Sequence, residues 1–284
     1  MENKTVQELA SAFAIPDRLS FAADPGGLPI ALARGAGAEA TIDLQGATVT
    51  HFRPAGEDPV LWLSARAVYA RSSAIRGDIP ICWPWFGPHP NDPGKPDHGF
   101  ARIRPWSVLG AAVAEDDSTV LRLGLRDDEA SRVLWPHPFA LEFEVFVGAE
   151  LQVSLIARNT GSAPFACTGA LHSYLAVGDV TRIAIHGLEG CAHVDKVDSG
   201  AEKVQRGPVT IVGEADRVYH DTVATCTIRR PGARPPYRRR QTWQPLHGHL
   251  EPLAGAPRGY PATARRLRRQ RLPEYGVRQG GQRP

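Results

Sequence analysis

No apolar run in this 284-residue chain approaches the ~20 residues that a bilayer-spanning helix needs. The N-terminus, MENKTVQELASAFAIP, carries acidic residues and no small-residue cleavage site behind an apolar core. No secretion signal is legible, and a soluble, cytoplasmic protein is expected. Four cysteines, Cys82, Cys167, Cys191 and Cys226, stand far apart with no CxxC pair for zinc or redox work, so reduced, mostly buried thiols are expected. Nor is there a GxxxxGK[ST], a GxGxxG opening a helix, an HExxH or a GxSxG. Nucleotide-binding, zinc-protease and hydrolase-elbow chemistries therefore lack their signatures.

A further set of absences divides the chain. Residues 229–284 hold no Lys, Asp, Ile or Phe, but 14 Arg, nine Pro and only two acids, Glu251 and Glu274. The formal charge of +3 thus conceals a body, residues 1–228, of about −9 and a tail of about +12. The tail has little with which to build a core, and is expected to be non-native or disordered.

What the sequence does have is concentrated between Arg71 and Trp106. Three of the six Trp (Trp83, Trp85, Trp106), seven of the 25 Pro, His89 and His98 fall in these 36 residues. So many rings and chain breaks exclude a helix or a plain core strand, and predict a large loop presenting a binding surface.

Around it the body reads as strands. A short helix is expected over residues 4–14, capped by Asn3 or Thr5 and stopped by Pro16. Approximate alternation then marks strands at Ile30–Leu32, Ala40–Leu44, Thr48–Phe52, Trp106–Leu109 and Thr119–Leu125, with a short buried run at Val60–Leu63. A helical turn at Asp127–Val133 precedes a hairpin, Ala140–Val147 and Glu150–Ala157, turning at Gly148. Phe165–Leu175, Arg182–His186, Val209–Val212 and Thr222–Ile228 complete the set. Many short strands without alternating helices predict an all-β, antiparallel β-sandwich.

His172, in LHSYL, sits on one of these strands, where a lone histidine is ordinarily a hydrogen-bonded core residue. HGFAR, His98–Arg102, gives it a partner motif: Gly99 allows a tight turn, Phe100 can anchor the loop, and His98 and Arg102 can face one cavity. Arg76, in AIRGDIP, suggests a second guanidinium near the same surface. Two such forks suit a phosphate, with Trp faces available to a sugar ring.

The ordered motifs AIRGDIPICWPWFG, PDHGFARIRPW, NTGSAPFACTGALHSYLAVGDV and EADRVYHDT resemble the hexose-6-phosphate mutarotases (glucose-6-phosphate 1-epimerases), a branch of the aldose 1-epimerase group. The resemblance is collinear from about residue 30 to 228. It implies a galactose-mutarotase-like β-sandwich with no cofactor and no metal, interconverting the α and β anomers of a hexose 6-phosphate. It also implies roles: His172 as general acid, His98 as the histidine lying against the sugar, Arg76, Arg102 and Asp97 as substrate and phosphate contacts, and Asp216 as a sugar-site aspartate. At Asp97 the relatives usually have Gln, and a carboxylate there can accept from hydroxyls but repels a phosphate. The RGG of many relatives is RGD here, at Asp78. The expected partner is a small-molecule sugar phosphate, bound by a monomer that engages neither nucleic acid nor membrane.

The chemistry fits. Mutarotation opens a hemiacetal and needs a base for the O1 proton and an acid for the ring oxygen; an imidazole with an ordinary pKa near ~6.5 can serve as the acid. The family's base, a glutamate in a C-terminal V-E-x-A or V-E-x-G strand, has no counterpart after Ile228. A shifted reading frame would account for such a tail. Moving the codons of His249–Leu253 by one base permits Ile-Trp-Asn-Pro-Trp, and WNPW is a family motif. Loss of the base would impair catalysis, which keeps a non-catalytic carbohydrate- or sugar-phosphate-binding protein as the alternative. A nucleic-acid binder, suggested by the Arg-rich tail with Tyr237, Trp243 and Tyr260, is disfavoured by the acidic body and the lack of a recognition motif.

Overall fold

The computed structural model describes residues 4–220, 222–229 and 237–239, the last three by their backbone. The short helix α1 (Val6–Phe13) forms as expected. Thr5 caps it: Oγ1 accepts from the Glu8 N–H and the Glu8 carboxylate accepts from the Thr5 N–H at 2.7 Å, a reciprocal box.

Two four-stranded antiparallel meanders build the main core. The first runs β1 (Leu19–Ala23), β2 (Pro29–Gly35), β3 (Ala38–Asp43) and β4 (Thr48–Pro54) in sequence order. After the two-residue β5 (Ile81–Cys82) comes the second, β6 (Ser107–Val113), β7 (Thr119–Arg126), β8 (Phe139–Val147) and β9 (Leu151–Asn159), with α2 (Glu129–Leu134) between β7 and β8. Alternation decides which face is buried. Leu121, Leu123 and Leu125 of β7 and Phe139, Leu141, Phe143, Val145 and Val147 of β8 all point inward. Phe143 stands between its register partners Leu123 and Leu155. Strands β2 and β3 pack onto β7 and β8, small residues (Ala31, Ala33, Ala40) meeting large ones, and the Thr119 hydroxyl donates to the Arg34 carbonyl between the sheets.

The remaining strands are short. β10 (Ala170–Leu171) pairs with β5. β11 (Ala184–His186) belongs to a sheet with β15 (Cys226–Arg229) and β16 (Tyr237–Arg239), while β12 (Ala192–Asp195) lies between β13 (Ala201–Val204) and β14 (Arg217–Tyr219). β15 also pairs with β16, so backbone pairing continues past residue 228. A second, smaller core of Ile183, Ile185, Leu188, Val209, Ile211, Cys226 and Ile228 underlies this part. The tail expected from residue 229 onward lies, apart from Arg229 and residues 237–239, outside the described residues. All four cysteines are free, and burial pushes the Cys167 thiol up to about 12.

The Trp-rich stretch differs from expectation. Trp83, Trp85 and Trp106 are buried, at 0%, 5% and 3% exposure, and present no faces to a ligand. Their rings hold the loop down instead. Trp83 packs against Phe100, Trp135 and Phe139 with centroids 6.0, 4.9 and 4.6 Å away. The Trp85 and Trp106 indole N–H groups donate to the carbonyls of Pro96 and Ala101, so the polar edge of each is satisfied inside. The Trp83 carbonyl accepts from Phe100 and Ala101. Between these contacts Gly99, at φ 71°, passes so close that a Cβ would overlap that carbonyl.

Three carboxylates are buried nearby: Asp24, Asp43 and Asp78. Asp43 is pushed up to about 7, chiefly by burial and then by the neighbouring Asp24, against the hydrogen bond it accepts from the Gln45 N–H. Burial and the charge of Asp43 push Asp78 up to about 8. Asp78 also adopts φ 68°, the left-handed region that glycine tolerates and a side chain does not favour.

Gly99→Ala adds an unavoidable overlap at a left-handed residue and should destabilise the fold by about 2 kcal/mol or more, read by urea unfolding. For Asp78 the folded state keeps a proton that the unfolded chain releases near pH ~4, so its contribution to stability is lost as pH rises from about 4 to 8. Asp78→Gly should remove on the order of 3 kcal/mol of the stability lost between pH 5 and pH 8, and relieve the backbone strain at both. Equal pH slopes for the two proteins would refute this.

Candidate functional site

His172 follows β10, and its N–H donates to the Pro80 carbonyl, extending the β5–β10 pairing by one bond. The ring is buried at 8% exposure. It lies between Tyr174, 4.7 Å away, and Phe86, 6.1 Å away and within 24° of parallel. Tyr174 is fixed through its backbone: its N–H donates to the Asp78 carbonyl and its carbonyl accepts from Trp62.

His98 is set by the loop around it. At φ 62° its backbone N–H donates to the Gly87 carbonyl at 2.7 Å, while its Nδ1 accepts from the Gly87 N–H at 3.1 Å. A neutral ring that accepts at Nδ1 carries its proton on Nε2, so the clamp fixes His98 as a donor toward its other side. The His98 and His172 centroids are 6.1 Å apart, and Phe86 touches both, at 4.9 and 6.1 Å.

Asp216, at the edge of the small β13–β12–β14 sheet, is linked to this cluster through Lys196. Its carbonyl accepts from the Lys196 N–H at 2.8 Å, and its Oδ1 lies 3.7 Å from the Lys196 ammonium. That ammonium stands 5.6 Å over the Phe86 ring. Phe86 is therefore the shared neighbour of His98, His172 and the Lys196 ammonium.

The other expected residues divide. Arg102, on the one-turn 3-10 helix Ala101–Ile103, donates through Nη2 to the Asp97 carbonyl at 2.7 Å, which closes HGFAR on itself next to His98. The Asp97 side chain is exposed. Arg76 is exposed as well, and among the described residues its guanidinium makes no ion pair or hydrogen bond with the histidine cluster. Only its backbone runs alongside: the Arg76 carbonyl accepts from Ser64, and two residues on Asp78 binds Tyr174.

Sequence reasoning missed Phe86, Lys196, Tyr174 and Trp62. Phe86 was hidden among the tryptophans of WPWFG. Trp62 is 41% exposed and lies 6.0 Å from Tyr174, and so offers the aromatic face that the buried indoles do not. Lys196 carries no local signal; only the β12–β14 pairing, too short to read from alternation, places it opposite Asp216. Among the described residues no group of three His, Cys, Asp or Glu side chains could hold a metal ion, and no helix is long and apolar enough to cross a membrane.

Comparison with known proteins places this geometry in context. A family model described as Aldose 1-epimerase matches residues 29–233. A Salmonella typhimurium protein provisionally named glucose-6-phosphate 1-epimerase is 41% identical over 191 residues, 67% of this chain and 63% of its own length, so the chain spans less than two thirds of that curated relative. The crystal structure of YeaD, a provisionally assigned mutarotase from Salmonella typhimurium, superposes with TM-score 0.70 at 36% identity, covering 76% of this chain and 71% of that one. A galactose mutarotase related enzyme from Lactobacillus acidophilus shares the fold at TM-score 0.56 and 13% identity, over 71% of this chain and 73% of its own. The expected antiparallel, galactose-mutarotase-like sandwich is the observed one. With most of its length, residues 29–233, matched by one family model, the chain belongs to the aldose 1-epimerase family.

Proposed function

We propose that this chain binds a hexose 6-phosphate and interconverts its α and β anomers. The observation that carries the reading is the His98–His172 pair, two imidazoles 6.1 Å apart and both against Phe86, in a member of the aldose 1-epimerase family. The sugar phosphate is suggested by the name of the Salmonella relative and by the arginines near the loop.

In the proposed reaction His172 gives its proton to the ring oxygen as the C1–O5 bond breaks, while a base takes the proton from O1 and C1 becomes an aldehyde. Rotation about C1–C2 presents the other carbonyl face to the O5 hydroxyl. Closure then runs the transfers in reverse, returning a proton to O1 and the other to the imidazole. His98 orients the sugar by donating from Nε2. Asp97 and Asp216 accept from hydroxyls, and Arg102 and Arg76 hold the phosphate.

The base is the open half. Residues 229–284 contain Glu251 and Glu274, neither in a V-E-x-A or V-E-x-G setting. We propose that residues 1–228 carry the sugar site, and that the Arg-rich tail, read as the product of a shifted frame, does not supply the base. A sugar-binding protein with weak turnover is the corresponding second reading.

Anomer-exchange NMR on glucose 6-phosphate decides between them. His172→Ala should lower the exchange rate by about 10²- to 10⁴-fold, with sugar affinity changed little; an unaltered rate would remove His172 as the acid. The unmodified 284-residue chain should itself exchange anomers far more slowly than an intact relative assayed alongside. An equal rate would show that the tail, or a residue of the body, provides the base after all.

A further inference from the structure

Lys196 is a charged residue at the histidine cluster that neither the motifs nor the proposed reaction uses. It directly follows β12 and stands opposite Asp216, which directly precedes β14, continuing the register in which Asp195 faces Arg217. Directly opposed residues of an antiparallel pair project to the same face, so the two side chains share one surface. The strands of this sheet carry two other cations, Lys203 and Arg217, and both are turned toward Asp195, at 3.0 and 3.8 Å. Lys196 alone of the three reaches the Phe86 ring, 5.6 Å from its centroid, within the range of cation–π attraction. The same ring packs against His98 and His172.

The spacing to Asp216 is informative. At 3.7 Å the ammonium and Oδ1 attract, but are too far apart to hydrogen-bond. Both remain accessible, with 41% of the lysine side chain and 23% of the aspartate side chain exposed. A donor-only group and an acceptor-only group side by side match a hydroxyl, whose oxygen accepts from one while its hydrogen is donated to the other. They do not match a phosphate, which the adjacent carboxylate repels.

We propose that Lys196 is a substrate-binding residue that, together with Asp216, brackets one ring hydroxyl of the sugar and does not contact the phosphate. This rests on the sugar-binding reading above, and deepens it by assigning the polarity of one subsite.

The test compares the full chain with Lys196→Met and Lys196→Arg. Binding of glucose and of glucose 6-phosphate is titrated by NMR, and anomer exchange is followed in the same samples. Lys196→Met should weaken both sugars by the same factor, about 10-fold or more for a lost hydrogen bond to a charged donor, and Lys196→Arg should restore most of it. The exposed lysine contributes little to folding, and unchanged thermal unfolding of both variants checks this. A loss confined to glucose 6-phosphate would assign Lys196 to the phosphate and overturn the hydroxyl assignment. Undiminished affinity for both sugars would overturn it outright. A parent chain that binds both sugars without exchanging anomers, and loses both on Lys196→Met, would refute the epimerase reading and leave Lys196 in place. A parent that exchanges anomers with Lys196→Met unaltered would do the reverse, and one that binds neither sugar would overturn both.

Discussion

The cluster of Phe86, His98 and His172 depends on how the segment between residues 71 and 106 is fastened to the sandwich. A connection this long pays a large conformational entropy to hold one shape, and has almost no ladder of its own. Three buried indoles offset that cost. Trp83 is the centre: its ring is enclosed by Phe100, Trp135 and Phe139 while its carbonyl receives the chain returning through Phe100 and Ala101. Once those two strands of loop are joined, Phe86 and His98 have little freedom left. The site is thus a surface feature whose precision comes from the hydrophobic core beneath it.

The same arrangement explains what could and could not be read from the sequence. β7, β8 and β9 alternate over many residues, and the sequence boundaries agree with the strands to within about two positions. β1 and β12–β14 escape such reading because they are short and their apolar residues do not alternate cleanly. The run Val60–Leu63 is a string of isolated bridges, with Leu61 buried and Trp62 half exposed. The tryptophans were read as a ligand surface because proline and glycine surround them. Local composition is informative about chain breaks and silent about which side of the loop meets the core, and burial of large apolar area decides that second question.

Of the candidate site, His98, His172 and Asp216 each sit in a motif; the structure packs the two histidines against Phe86 and sets Asp216 beside Lys196, whose ammonium lies over the same ring. Arg76 was legible as a motif residue, but its guanidinium stands apart from the cluster. Lys196 was illegible for a tertiary reason: its importance comes from a partner 20 positions later and a ring 110 positions earlier, and no window of sequence contains all three. Charge placement follows the same logic. Among the described residues buried Asp43 and Asp78 make no ion pair with an arginine, whereas Lys196 and Asp216 face each other at a partly exposed position.

The backbone clamp on His98 has a wider consequence. Because Gly87 both gives a hydrogen bond to the imidazole and takes one from the same residue's amide, the ring cannot exchange its two nitrogens without breaking contact with the main chain. In the proposed reaction a sugar oxygen meeting that ring presents a lone pair, whichever anomer it belongs to. A group of fixed polarity is indifferent to the inversion at C1, which is what an epimerase acting in both directions would require of the groups that grip the rest of the sugar.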